Sequence, residues 1–445
     1  MVLSEFEVTI IIEIGGNVLT LKFYHKINPI IVKRINYYYN DEMKNHVRIT
    51  YGLSVYDDLE IKAVVKVLKE HRSNTGRETE EFEEKISKLY AKKYGIMVNS
   101  GSSANFLALS ILNLPKGSEI ITPVLTFSTT VAPLLQHELK PVFVDVEPGK
   151  YIINIDQIEK KITKKTKALM IPLLLGNVPD MRKLSKIAKK HNLFLIEDSC
   201  DTLGATINGV PTGKYTDIST TSFFGSHIIT AGGNGGMLMV NSPKWRNKAK
   251  VLRGWGRSSS LFSESEDIRK RFKGKIGSMP YDAKFIFAEV GYNFLPSEMG
   301  SAFGNVQLKK LSKFKTIRDR NFRELSNFFR KYKDFFVVPE QTKNTATQWL
   351  AFPLTIKDGA PFTRMEITTF LEKNNVQTRP IFTGNITYQP GFKKYFSSYI
   401  KEEYPIADEI MKNGFVVGCH HGLSAIHIKR LEELFTEYFN KYIGK

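Results

Sequence analysis

Short apolar runs alternate with stretches of helical spacing through the first half of the chain, and this alternation limits the fold more than any other feature. The runs are Gly95-Ile96-Met97-Val98, Glu119-Ile120-Ile121-Thr122, Pro141 to Val146, Ala168-Leu169-Met170-Ile171-Pro172 and Leu193-Phe194-Leu195-Ile196. Between them, Leu107 to Leu112, Ile155 to Ile162 and Leu184 to Lys190 carry helical patterns. Strands that are apolar on both faces belong to a parallel sheet with helices on each side. The expected fold class is α/β with a mostly parallel large sheet. Open sheets of this kind bind ligands beyond the carboxyl ends of their strands. The last run delivers Glu197-Asp198-Ser199-Cys200-Asp201 to such an end.

Helical spacing opens the main body. Leu59, Ala63, Val64, Val67 and Leu68 lie three and four apart, then Thr75-Gly76-Arg77 breaks the pattern before Phe82, Ile86, Leu89 and Tyr90. Phe127 to Thr130 reads as a further strand-like run after the Pro123 turn. Pro243 to Arg253 reads as a helix, and the polar stretch from Trp255 to about Lys275 as a long surface loop. Ser297 to Tyr332 reads as a long, broken helical region. Residues 43–330 are therefore expected to form a large domain, and 331–445 a smaller α+β domain. In the latter, strands fall near Leu350 to Leu354 and Val376 to Phe382, with helices near Thr363 to Lys373 and Ile426 to Tyr442. Residues 1–42 read as an extension in which Val8 to Ile14 and Val18 to Phe23 pair about Gly15-Gly16-Asn17. Ile35 to Asn40 ends it, and Met43 is an alternative start.

The chain has 445 residues and a net charge of +19. Its cations are spread along amphipathic patterns such as Lys160 to Lys167 and Lys309 to Arg320, so solvated helix faces are expected and no nucleic-acid partner. Two cysteines, Cys200 and Cys419, make no disulfide framework, which fits a cytoplasmic protein. No run of 18 or more apolar residues points to a membrane span. Glu5, Glu7 and Glu13 interrupt what would be a signal peptide.

The chemistry gathers at four places. Asn99-Ser100-Gly101-Ser102-Ser103-Ala104-Asn105 lies between strand and helix, where free amides, the helix dipole and hydroxyls make an anion site. The competing reading is an N-capped helix. Phe127, at a strand end, can lie against a flat ring. Asp198 can hold a ring nitrogen protonated by a charge-assisted bond. Ser222 can add a phosphate donor. A phosphate, a flat ring and a protonated ring nitrogen together describe pyridoxal phosphate, whose pyridinium acts as an electron sink. The lysine that ordinarily anchors this cofactor is expected five residues beyond the serine, and His227 stands there. Alone, a histidine before a glycine-rich turn is more often a hydrogen-bonded structural residue than a catalyst.

Over roughly residues 50–445 the chain resembles the DegT/DnrJ/EryC1/StrS family of pyridoxal-phosphate-dependent sugar aminotransferases, of fold type I. Val98 to Asn105, Glu197-Asp198, Ser222-Phe223 and Gly291-Tyr292-Asn293 carry the resemblance in order and spacing. His227 in the lysine position and Arg379-Pro380-Ile381-Phe382-Thr383-Gly384-Asn385 are similar to one branch, the nucleotide-sugar 3-dehydratases. That resemblance implies a noncovalent pyridoxamine or pyridoxal 5'-phosphate and a nucleotide-diphosphate 4-keto-6-deoxyhexose as substrate. It also implies loss of the C3 hydroxyl with His227 as base, in surface-polysaccharide biosynthesis. Gly101, Ser102, Ser103, Phe127, Asp198 and Ser222 would bind the cofactor. Asn293 would reach across a homodimer to the cofactor phosphate of the other subunit. Arg257, Arg379 and Asn385 are candidates for substrate contacts. A turn cap at Asn293 and a surface ion pair at Arg379 are the simpler alternatives.

One type in this branch holds a [2Fe–2S] cluster on four cysteines and takes electrons from a reductase. Cys200 falls at the first of those positions, but Ser258, Ser260 and Ile268 stand near the others, so no cluster is expected. The cluster-free type recovers its amine from glutamate, which makes glutamate the expected donor and a separate reductase unnecessary. Two departures stand out. Ile228 occupies a position where a second histidine is frequent, and Gly232-Gly233-Asn234-Gly235-Gly236 replaces a shorter Gly-Glu-Gly-Gly. The rival readings are an aminotransferase using Lys214 or Lys284, and a non-catalytic basic binding or regulatory protein on the same fold.

Overall fold

The computed structural model describes residues 8–14, 17–23, 48–262, 266–397 and 403–442. The chain divides into two compact units, Met1–Arg48 and Ile49–Lys445. In the first, Val8–Ile14 and Asn17–Phe23 pair antiparallel, from Val8 against Phe23 to Ile14 against Asn17. That is the hairpin expected from the sequence. The Ile35 to Asn40 run and Met43 lie outside the described residues.

The second unit opens with helices α1 (Asp58–Lys69) and α2 (Arg77–Leu89). Seven strands then build one sheet: β1 (Tyr94–Val98), β2 (Glu119–Pro123), β3 (Lys140–Val144), β4 (Thr166–Pro172), β5 (Phe194–Asp198), β6 (Ile218–Ser222) and β7 (Gly236–Val240). Their order is β1-β7-β6-β5-β4-β2-β3. All neighbours are parallel except at β7, which runs antiparallel to β6 and β1. β7 returns from β6 through a loop without a crossover helix, and a direct return of that kind must be antiparallel.

Helices α3 (Gly101–Leu112), α4 (Ser128–Gln136), α5 (Met181–Lys190) and α6 (Pro243–Arg253) cover the sheet. Successive strand side chains point to opposite faces, so every strand feeds two layers. Ile96, Val98, Met170, Leu238 and Val240 pack with Leu107 and Ile111 of α3 and Leu252 of α6. Leu169, Ile171 and Leu195 meet Met181, Leu184 and Ile187 of α5. Met97, Met237 and Met239 meet Phe82 and Ile86 of α2. These alternating contacts explain why the strands read as continuously apolar.

Three local expectations change. Phe127 to Thr130 is not strand-like: Phe127 precedes α4, whose buried face carries Thr130, Val131 and Leu134 at helical spacing. That apolar face overrides the β-propensity of the threonines. The stretch after Trp255 is not a plain loop. It holds a 3-10 turn at Ser258–Leu261, a helical turn at Ile268–Arg271, and a small hairpin pairing Lys275–Ile276 with Met279–Pro280. The expected strand from Val376 to Phe382 shrinks to Arg379–Pro380, because proline gives the ladder no donor.

The long helical region is broken as expected, into α7 (Glu298–Lys309) and α8 (Leu311–Phe329). Lys310 marks the break and pairs with Asp57 and Glu60 at 2.8 and 2.7 Å. Beyond it an antiparallel sheet forms from β8 (Phe336–Val337), β9 (Phe352–Ile356), β10 (Arg379–Pro380) and β11 (Gly414–Val417), in the order β8-β9-β11-β10. Helix α9 (Arg364–Lys373) follows β9, and α10 (Pro405–Asn413) and α11 (Ala425–Phe439) flank β11. Asp145, just past β3, accepts the amides of Ile406 and Ala407 at 3.0 Å each. A carboxylate from the large sheet thus caps α10.

A similar cap fixes α2. Gly76 precedes that helix and has no side chain to cap it. Glu298 of α7 supplies the acceptor instead, taking the amides of Gly76, Glu78 and Thr79 and the Thr79 hydroxyl at 2.6–3.2 Å. Glu298 is buried, and its loss strands several donors at once. Glu298→Ala is expected to destabilise the protein by about 2–4 kcal/mol in urea unfolding. An unchanged midpoint would contradict this cap.

Candidate active site

The carboxyl ends of β5 and β6 and the N-terminus of α3 converge on a cavity of about 330 Å³. Asp198, the last residue of β5, stands at its wall. One carboxylate oxygen of Asp198 accepts from Asn105 Nδ2 at 2.7 Å and Thr130 Oγ1 at 2.8 Å, and the other accepts from the Cys200 amide at 3.2 Å. Asn105 is itself aimed by the Thr220 hydroxyl, which donates to Asn105 Oδ1 at 2.6 Å. Asn105 follows Gly101 by four residues, so both lie on one face of α3.

Gly101 and Ser102 begin α3 and line the cavity. A Cβ at Gly101 would stand 2.6 Å from the Ser222 Cβ and 2.7 Å from the Cys200 sulfur, so only glycine permits this approach. Ser100 caps the helix by accepting the Ser103 amide at 3.1 Å. The first-turn amides have no partner within the helix, and Ser222, at the end of β6, stands beside them. Ser103 turns elsewhere: its hydroxyl donates to Asn99 Oδ1 at 2.7 Å, and it lines an adjoining cavity that shares Ser100, Asn234 and Gly235. Phe127 lines the main cavity beside Phe382, with ring centroids 5.9 Å apart. Phe382 has a φ of 46°, a costly conformation for a bulky residue.

His227 lines the same cavity. Its loop folds back on β6 through bonds from Phe223 N to Gly235 O and from Ala231 N to Phe223 O. Gly232 and Gly233, at φ of 70° and 106°, make that reversal. The Nδ1 atom is enclosed with no protein hydrogen-bond partner. Burial pushes the imidazole down to about 4; the Arg318 guanidinium adds to this, and the backbone at Ser222 and Cys200 opposes it. An ordinary histidine titrates near about 6.5, so His227 is neutral over a wider range than its residue type implies. Ile228 points into the core.

The other expected residues lie apart. Arg257 packs its guanidinium on Trp255, Phe285 and Phe287, 4.6–5.5 Å from their centroids. Arg379 is exposed, 3.9 Å from Glu372 and over the Tyr51 ring. Asn385 is buried and engaged: its Nδ2 donates to Asp408 at 2.7 Å, and its Oδ1 accepts from the Thr387 amide and hydroxyl. Asn293 is exposed, and its backbone bridges Gly254. None of these four lines the cavity.

Several groups at the site have no motif of their own. Asp201 lines the cavity, accepts the Leu175 amide at 2.9 Å, and is pushed up to about 7 by burial, with Asp198 nearby adding to the shift. Burial and the same aspartate hold the Cys200 thiol far above its usual range. Arg318 of α8 touches the His227 carbonyl from behind at 3.4 Å. Its place inside a run of solvated cations hid it. No lysine is among the residues lining the cavity. Lys214 is exposed and Lys284 pairs with Glu266. Among the described residues no group of three or more His, Cys, Asp or Glu could hold a metal, and no helix is long and apolar enough to cross a membrane.

A mostly parallel seven-stranded sheet with an open helix start at Gly101 facing an acid, Asp198, at the end of β5 defines a class, the aminotransferase-fold enzymes. The chain belongs to the DegT/DnrJ/EryC1/StrS aminotransferase family, which it matches over residues 55–435. It is 35% identical over 394 residues to the lipopolysaccharide biosynthesis protein RfbH of Salmonella typhimurium, covering 85% of this chain and 89% of that one. It is 36% identical over 405 residues to dTDP-4-dehydro-2,6-dideoxy-D-glucose 3-dehydratase of Saccharopolyspora spinosa, covering 87% and 86%. A solved structure of GDP-4-keto-6-deoxymannose-3-dehydratase with a trapped PLP-glutamate geminal diamine superposes with a TM-score of 0.77 at 30% identity, over 86% of this chain and 99% of that one.

Two further histidines follow β11. His420 donates from Nε2 to the Thr50 carbonyl at 3.0 Å and accepts the Gly422 amide at Nδ1. His421 Nδ1 accepts from Arg318 Nε at 3.1 Å. An imidazole nitrogen that accepts a hydrogen bond cannot also be protonated without losing it. Burial, with Arg318 adding, holds these rings at about 3 and about 2. In the unfolded chain they take up protons near about pH 6.5, so their contribution is full above that value and is lost progressively as pH falls from there toward about 3 for His420 and about 2 for His421. Asp201 acts in the opposite direction, so a difference measurement isolates the imidazoles. His420→Gln is expected to lose less stability than the parent between pH 7 and 5 in thermal unfolding; equal losses would contradict the assignment.

Proposed function

We propose that the protein is a pyridoxamine-phosphate-dependent dehydratase that removes the C3 hydroxyl of a nucleotide-linked 4-keto-6-deoxyhexose. The observation that carries the proposal is that Gly101, Ser102, Phe127, Asp198 and Ser222 line one cavity with His227 and no lysine. The cradle fits the group. The three-bonded Asp198 carboxylate can hold a ring nitrogen protonated. The α3 amides, Ser102 and Ser222 can hold a phosphate. Phe127 can lie against the ring, and Ser103 supports the helix start through Ser100 and Asn99.

When bound, pyridoxamine phosphate supplies an amine that joins the sugar's 4-ketone and a pyridinium ring that takes up electrons as the C3 hydroxyl leaves. His227, neutral and with no protein partner at Nδ1, takes the proton from the carbon bearing that amine. Asp198 keeps the ring nitrogen protonated throughout. The enclosing Pro172, Leu174 and Phe382 limit the water that reaches the reacting atoms. Without a lysine there is no group to anchor the cofactor covalently or displace an amino-sugar product, which favours dehydration over amino transfer.

Glutamate is the proposed amino donor, supported by the glutamate trapped in the related solved structure; no separate reductase is required. The relative RfbH places the proposed product in lipopolysaccharide biosynthesis. Arg257 and Arg379, exposed or half-buried beside aromatic rings, are the proposed contacts for the nucleotide sugar, with Asn385 shaping the loop that carries Phe382. The working unit is proposed to be a homodimer. Phe287 and Val290, in the segment leading to Asn293, are 56% and 92% exposed, apolar side chains that a second copy would cover.

The direct test incubates the protein with pyridoxamine phosphate, glutamate and 4-keto-6-deoxyhexoses on GDP, CDP or dTDP, and weighs the sugar products. A product one oxygen atom lighter is expected, and His227→Asn should lower its rate by about 10²–10⁴-fold without releasing the cofactor. Accumulation of an amino sugar would instead favour an aminotransferase.

A further inference from the structure

Arg318 is wholly buried, and among the described residues no carboxylate pairs with it. Removing a charge from water without a counter-charge is costly, so a fold that does so must use the cation. The guanidinium is spread over three segments. Its Nε donates to His421 Nδ1 beyond β11, one terminal nitrogen donates to the carbonyls of Trp349 and Leu350 before β9 at 2.9 and 3.2 Å, and the other reaches the His227 carbonyl at 3.4 Å. Phe314, one turn earlier on α8, stacks on the His421 ring at 3.8 Å and holds the imidazole that receives the first bond.

We propose that Arg318 is a positioning residue for His227: its guanidinium, fixed to the segments around β9 and β11, holds the backbone carbonyl of the base and sets a positive field behind its ring. The proposal rests on the reading of His227 as base. A bond from Arg318 to the carbonyl restrains the loop where it turns into the cavity, and a fixed cation behind an imidazole disfavours its protonation. The same cation bonds His421 directly and lies within electrostatic reach of His420, Tyr51 and Cys419. Across the cavity, Asp198, Cys200 and Asp201 complete the charged and titratable groups around His227. Asp198 is bound by three donors and Asp201 is pushed up by burial, so Arg318 is the fixed cation of this set.

The test uses the full chain loaded with pyridoxal phosphate and reads the His227 ring by NMR of labelled histidine, assigned with His227→Asn. Arg318→Gln keeps donors without charge, and Arg318→Lys keeps charge without the fork. The expected result is an upward shift of the His227 titration in R318Q, with R318K remaining near the parent. The acid limb of kcat/KM should move with it, and kcat should fall more than KM changes. A folded R318Q with unchanged His227 titration would overturn the proposal. If R318Q does not fold, a His227 in R318K that titrates like a free histidine would overturn it equally. The titration needs no turnover, so it stands apart from the dehydratase reading: a shifted ring in a protein inactive on every 4-keto sugar would sink that reading alone.

Discussion

Everything at this site is referred to the Asp198 carboxylate. Three hydrogen bonds from three different elements hold it at the end of β5, and a carboxylate so held has one orientation to offer a ligand. Asn105 ties it to α3, Thr130 to α4, and the Cys200 amide to its own turn. Two of these elements also line the cavity, α3 through Gly101 and Ser102 and the start of α4 through Phe127. Moving any one of them would misplace both ends of a bound ring, so the sheet order and the chemistry are a single constraint. The Gly101 contact with Ser222 and Cys200 shows how little slack remains.

Much of this was legible in the sequence because strand ends in α/β folds are short and their residues stay in register. Asp198 and Ser222 sit at the ends of neighbouring parallel strands, and Gly101 and Ser102 start the helix after β1, all readable from local pattern. Phe127 was legible as a cavity residue but not as a helix start, since four residues carry too little periodicity to choose between helix and strand. What escaped was tertiary. Nothing local marks Asn105 and Thr130 as partners of Asp198. Arg318 lies in a run rich in lysine and arginine, and among the cations of that run it alone is wholly buried. Asn385 belongs to a suggestive motif, yet its side chain is engaged by Asp408 and Thr387.

The histidine at 227 shows why residue type alone is a poor guide to chemistry. An exposed imidazole would be half-protonated near neutrality, whereas burial and a cation behind the ring leave this one uncharged. That makes it available as an acceptor but lowers its intrinsic basicity, so the proposed reaction would rely on the acidity that a protonated ring, held by Asp198, gives to the neighbouring carbon. In that proposal acid and base depend on each other across one cavity.

The central claim is that the cofactor is held without a covalent bond. Borohydride reduction of the protein loaded with pyridoxal phosphate, followed by intact mass under denaturing conditions, tests it most directly. No mass increase, with absorbance showing that the cofactor had bound, is the predicted result. A stoichiometric increase at a single lysine would contradict the account and make covalent amino transfer the working chemistry.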